Sequence, residues 1–214
     1  ERGAAVFFRT TQKRYPYASA GLGVDRPIGP AKFAVGANWI REDETILGAR
    51  FANFIGHNGA RSLFVDGRGD VKLVGSWSLG ASWRQGWTYA NAGGSLTGQS
   101  VLHSNAFSMD VSGRDILASN DRIAFRIAQP LRVTAGGLAL NVPVAYDYAT
   151  LGTTFGVRQF SLTPKGQEIA SELVWGVPMY GGYFSSNLFW RKEPGHFDPA
   201  PDDVGVAFRL QFDF

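Results

Sequence analysis

The chain has 214 residues, 44% of them hydrophobic and 14% aromatic, with 27 Gly, 16 Phe, no Cys and a net charge of +3. So small a charge, with no basic block, argues against a nucleic-acid partner, and the lack of Cys beside only three His leaves no thiolate or imidazole metal site to expect. No run approaches the roughly 18 apolar residues of a transmembrane helix, and no window of about eleven residues carries helical i, i+3, i+4, i+7 periodicity.

What remains is alternation. Apolar side chains alternate with small or polar ones in segments 4–12, 17–25, 31–42, 62–74, 77–88, 100–112, 121–133, 138–148, 154–162, 168–178, 183–192 and 203–214. Successive side chains of a strand point to opposite sides, and each segment has the roughly nine residues or more that a tilted strand needs to cross hydrocarbon. Averaging over two unlike faces keeps the mean hydropathy at −0.10. The expected fold is all-β, a transmembrane antiparallel up-and-down β-barrel of about twelve strands of the outer-membrane type, forming one domain over 1–214.

The connections agree with an even strand count and a periplasmic C-terminus. Long ones at 43–61, 89–99 and 193–202 follow odd strands, and short ones at Gly75-Ser76, Leu151-Gly152-Thr153 and Tyr180-Gly181-Gly182 follow even strands. The short 134–137 and the long 113–120 fit this pattern less well, and Pro143 falls in mid-strand, where it removes a ladder donor. No signal peptide is visible at Glu1, so under the barrel reading the chain is a processed product or the C-terminal part of a longer precursor.

The two faces of the segments differ in chemistry. In 77–88, Trp77, Leu79, Ala81 and Trp83 oppose Ser78, Gly80, Ser82 and Arg84, and the aromatics collect toward segment ends, as in an interfacial girdle. Charges gather on the polar faces: Asp66, Arg68, Asp70, Lys72, Arg84, Arg122, Arg126, Glu172, Arg209 and Asp213. A charge facing lipid at the midplane costs roughly 2–4 kcal/mol, so Arg68, Asp70, Arg84, Arg126, Glu172 and Arg209 are expected to face the lumen. Loop 43–61 carries Phe51, Phe54 and Ile55, more apolar groups than a solvated loop needs. It is expected to fold over the mouth or into the pore as a plug.

Chemistry of the enzymatic kind is not expected: no catalytic, cofactor-binding or metal site, and no cofactor. His57 and His196 sit in loops, and His103-Ser104-Asn105 departs from the His-x-Ser spacing of outer-membrane phospholipases, because neighbours on one strand face opposite sides.

The last strand sets Phe208, Leu210, Phe212 and Phe214 on one face and ends on an aromatic carboxylate. It resembles the C-terminal signal that outer-membrane proteins present to the barrel assembly machinery. The run Asp121 to Val133, then Gly136-Gly137-Leu138, Val144 to Tyr148, Pro194-Gly195-His196 and Pro201-Asp202-Asp203, with Trp39 to Glu42, Leu47-Gly48, Trp77 and Gly86-Trp87-Thr88, resembles the C-terminal translocator barrel of autotransporters. Within that family it is most similar to barrels that carry subtilisin-like serine protease passengers in alphaproteobacteria. The resemblance implies type V secretion: a non-catalytic, porin-like barrel in a Gram-negative outer membrane, anchoring and exporting an N-terminal passenger whose catalytic residues would lie upstream. The implied partners are outer-membrane lipid and lipopolysaccharide, the barrel assembly machinery and the cognate passenger or its linker segment. The alternative is a stand-alone pore or a structural barrel subunit of a larger envelope complex.

Overall fold

The computed structural model describes residues 3–11, 16–52, 55–56 and 58–212. The alternating segments become strands β1 (Gly3–Thr11), β2 (Tyr17–Ile28), β3 (Ala31–Glu42), β4 (Ala60–Lys72), β5 (Ser78–Ala90), β6 (Val101–Arg114), β7 (Arg122–Asp147), β8 (Gly152–Ser161), β9 (Ile169–Met179), β10 (Gly182–Lys192) and β11 (Asp203–Phe212). The described residues contain no α-helix, only the single 3-10 turn Pro194–His196. Every ladder is antiparallel. The sheet is one meander in the order β1-β2-β3-β4-β5-β6-β7-β9-β10-β11, with β8 paired to β7 off that path.

Following the chain up and down this meander separates two ends. Connections 43–59, 91–100, 148–151 and 193–202 lie at one, the loop end; 29–30, 73–77, 115–121 and 180–181 lie at the other, the turn end. The chain leaves β11 at the turn end.

The strand count corrects the expectation of twelve. Segments 121–133 and 138–148 are one strand of 26 residues, and the presumed connection 134–137 runs straight through inside it. Gly136 has φ 94, yet Ala135 and Gly136 still pair with His103 and Leu102, so the glycines bend the strand without reversing it. They are glycines because backbone presses from both sides. A side chain at Gly136 would collide with the Val101 carbonyl on β6, and one at Gly137 with the Phe160 carbonyl on β8. Turn 148–151 consequently sits at the loop end, which corrects the placement of Leu151-Gly152-Thr153 among the short turns of the opposite end.

β9 occupies one edge of β7 from Arg122 to Ala128, and β8 pairs with Gly137 to Asp147. Both prolines of β7 fall where pairing lapses. Pro130 lies past the last rung with β9 and at a register shift against β6, and Pro143 opens a shift against β8, so neither removes a bond from a regular ladder.

The buried apolar core is small and sits at the loop end. Ile46, Ala60, Ala90, Leu96, Leu102, Leu138 and Leu140 form it, with Leu47, Phe51, Ile55, Val133, Val142 and Leu162 packed against it. Residues from two long connections thus meet the upper ends of four strands. The body of the sheet contributes little to that core, and its large apolar side chains lie exposed.

Candidate functional site

Register places the polar residues in tiers across one face. One tier runs Gly36, Asp66, Arg84, Ala106 along β3 to β6; the next Ala34, Arg68, Ser82, Ser108, Ala128, Ala170 along β3 to β7 and β9; and the next Lys32, Asp70, Gly80, Asp110, Arg126, Glu172 along the same strands. Because the side-chain period is two, these tiers share a face only if no strand slips by one residue. The hydrogen bonds hold that register. Asn38 Nδ2 donates to Asp66 at 2.9 Å and Arg84 Nε to the same carboxylate at 2.5 Å, while Ser82 and Ser108 hydroxyls meet at 2.7 Å. Ser78 and Ser112 meet at 2.9 Å two tiers nearer the turn end.

Several cations of this face are matched by acids. Lys32 pairs with Asp25 at 2.9 Å, Arg68 with Asp70 at 2.8 Å, and Arg191 with Asp203. Arg126 stands between Asp110 and Glu172 by register on both sides. The face is concave and holds a half-open cavity of about 560 Å³, lined among others by Asp66, Arg68, Arg84, Arg126, Gln129 and Glu172. Five of the residues expected in the lumen, Arg68, Asp70, Arg84, Arg126 and Glu172, share this face by register, and all but Asp70 line the cavity. Arg209 joins the same face nearer the turn end, where its guanidinium donates to Gln211 at 3.1 Å.

The opposite face is apolar and uncovered. Leu22, Val24, Phe33, Val35, Leu63, Trp83, Phe107, Met109, Phe125, Leu173, Leu188, Val206 and Phe208 project from it, with Val35 62% and Phe208 68% exposed. Phe208, Leu210 and Phe212 extend this stripe along β11, where the Phe208 ring stacks on Phe184 at 6.1 Å. Phe214 and Asp213 lie outside the described residues.

Two connections at the loop end grip each other and cover the ends of β4 to β7. The buried Glu42 carboxylate accepts from Thr45 Oγ1 at 2.7 Å, Gly48 N at 2.7 Å and Leu47 N at 2.8 Å, folding the start of 43–59 back on β3. Asn58 Nδ2 donates to the Ala92 carbonyl and Asn91 Nδ2 to the Asn58 carbonyl, both at 2.6 Å, and Asn91 N reaches the Gly59 carbonyl at 3.0 Å. Phe51 and Ile55 pack against the core beneath; Phe54 and His57 lie outside the described residues. Below this cap Phe64 lies buried on the polar face, across Gly86, with the Arg84 guanidinium 5.4 Å from its ring centre.

Sequence reasoning missed Glu42 and Asp121, two acids that organise connections. Asp121 accepts from the amides of Ile116, Leu117 and Ala118 and from Trp175 Nε1 at 2.8–3.1 Å. Burial works to raise its pKa, but the Trp175 and backbone donors together outweigh it and hold the carboxyl below the usual carboxylate range. Its place three to five residues after a run of bare amides was the available signal. His196 also ties a connection together, its Nδ1 accepting from Glu168 N at 2.9 Å while the Glu168 carboxylate accepts from Gly195 N. His103 and Ser104 point to opposite faces, with Ser104 buried beside Phe64 and Gly86 and His103 half-buried. No known protein family, curated protein or solved structure matches the chain.

Proposed function

We propose that the chain is an outer-membrane β-barrel whose apolar face meets lipid and whose concave polar face lines the interior. One observation carries this reading: the sheet is inside out relative to a water-soluble domain. Burying a Val, Leu or Phe side chain is worth about 1.5–3 kcal/mol, so a belt of a dozen half-exposed ones forfeits on the order of 10 kcal/mol in water, as much as a whole domain's stability. A soluble sandwich would cover such a face with a second sheet. A bilayer covers it without one. The ten-strand path also leaves β1 and β11 antiparallel at the two open edges, the relation a closing ladder needs.

Within that reading, the role is that of a translocator that anchors and exports an N-terminal passenger, supported by the resemblance of 121–148 and 194–203 to autotransporter barrels. The cap that 43–59 and 91–100 form over β4 to β7 favours a second reading, a closed structural or pore-forming barrel, since a segment threaded past it would have to displace that cap. The protein refolded into vesicles should show a heat-modifiable gel shift and resist alkaline extraction; a stable detergent-free monomer overturns the membrane reading. An epitope placed upstream of Glu1 in cells should become accessible to external protease. If the barrel inserts and the epitope stays protected, export is wrong and the closed barrel stands.

A further inference from the structure

Charge balance on the polar face breaks down at the turn end. One tier there reads Arg114, Arg122, Gly176, Ser185, Arg209 across β6, β7, β9, β10 and β11. Ser112 and Arg126, two and four residues from these arginines in the alternation, lie on the polar face, so Arg114 and Arg122 do too. Arg114 and Arg122 are direct cross-strand partners, an arrangement that like charges disfavour. Neither has an ion pair among the described residues, in contrast to Lys32, Arg68, Arg84 and Arg191 higher on the same face.

The described acids beside this tier in sequence or register are already committed. Asp115 accepts from Asn120 N at 2.7 Å, and both oxygens of Asp121 are taken by turn amides and the Trp175 indole. Asp110 and Glu172 flank Arg126, on a tier nearer the loop end. Gly176 leaves a gap in the arginine tier, and the Tyr183 hydroxyl lies over it, adding a neutral donor. Among the described residues the tier therefore offers guanidinium forks and a hydroxyl to the polar side with no carboxylate paired to Arg114 or Arg122.

We propose that this tier is an anion-binding mouth, and that its ligand class is small multivalent oxyanions such as inorganic phosphate. A guanidinium presents a planar fork that matches phosphate oxygens in pairs, and a concave wall of low dielectric concentrates the field of several like charges. Bound oxyanion removes the Arg114–Arg122 repulsion that the bare fold carries. The inference rests on the barrel reading, under which this end opens to the periplasm.

The test is a calorimetric titration of inorganic phosphate into the intact protein folded in detergent, after a gel-shift check that each sample is folded. Wild type should bind saturably. Arg114→Gln and Arg122→Gln should each weaken binding roughly ten- to a hundredfold, the loss of one charge-assisted contact, and Arg122→Lys should weaken it less. Arg158→Gln, which removes the same charge from exposed β8, should leave it unchanged. Absent binding, equal binding in the Gln variants, or equal weakening by Arg158→Gln overturns the proposal while a folded, lipid-inserted barrel stands. A chain that never inserts overturns both.

Discussion

Leucine, valine and phenylalanine occur at the loop end and in the belt around the strands, in opposite surroundings. At the loop end Leu102 and Leu138 are 1% and 3% exposed, sealed by connections that bring their own Ile46 and Leu96. Farther along the same strands toward the turn end, Met109 on β6 and Phe125 on β7 stand 55% and 40% exposed. One sheet thus carries the same kinds of side chain in two ways, covered by protein at the loop end and left uncovered along the belt. The cap needs protein cover because its residues project onto the polar side, where water would otherwise reach them.

Breaking the protein-covered half should have the largest effect. Leu102→Ala removes a fully buried side chain from the cap and should cost about 2–5 kcal/mol, seen as a lowered denaturation midpoint in detergent and faster amide exchange at 46–49. Val35→Arg probes the other half and should cost roughly 2–4 kcal/mol in lipid vesicles. The same change at an exposed site in water costs within about 0.5 kcal/mol; a value that small would mean the belt faces water. The smallest effect belongs to Asp121. Its folded-state pKa is depressed, so its stabilisation is present above the unfolded carboxylate range and is lost as pH falls through the lower folded value. Asp121→Asn should flatten the acid limb of the stability profile, and an unchanged limb would leave its hydrogen bonds without a stabilising role.

Much of this division was legible in the chain. Period-two alternation marks the strands and sorts Asp66, Arg68 and Asp70 from Phe64's apolar neighbours Leu63 and Val65, because a pleated strand leaves no other arrangement. Strand number was not legible at Gly136-Gly137, since a glycine pair serves a reversal and a crowded bend alike. The apolar content of 43–59 showed that the loop must pack. Its partners Leu96, Leu138 and Leu140 lie far along the chain, beyond the reach of local pattern. The Glu42 and Asp121 turns escaped for the opposite reason: single acids followed or preceded by bare amides are too common to stand out.

The unbroken course of β7 has a practical consequence for anyone wishing to handle the protein. Its 26 residues amount to about 85 Å measured along the chain at some 3.3 Å each, while a tilted crossing of a 30 Å hydrocarbon layer would use only about 9–11 of them. The remainder, braced by β8, makes a stalk ending in a turn where Asp147 accepts from Ala149 N and from Thr150 Oγ1, both at 2.8 Å. In the proposed barrel, an antibody tag inserted between Thr150 and Leu151 would therefore ride on this two-stranded extension, away from the belt and the arginine tier, and would report on intact cells which side of the membrane the loop end occupies.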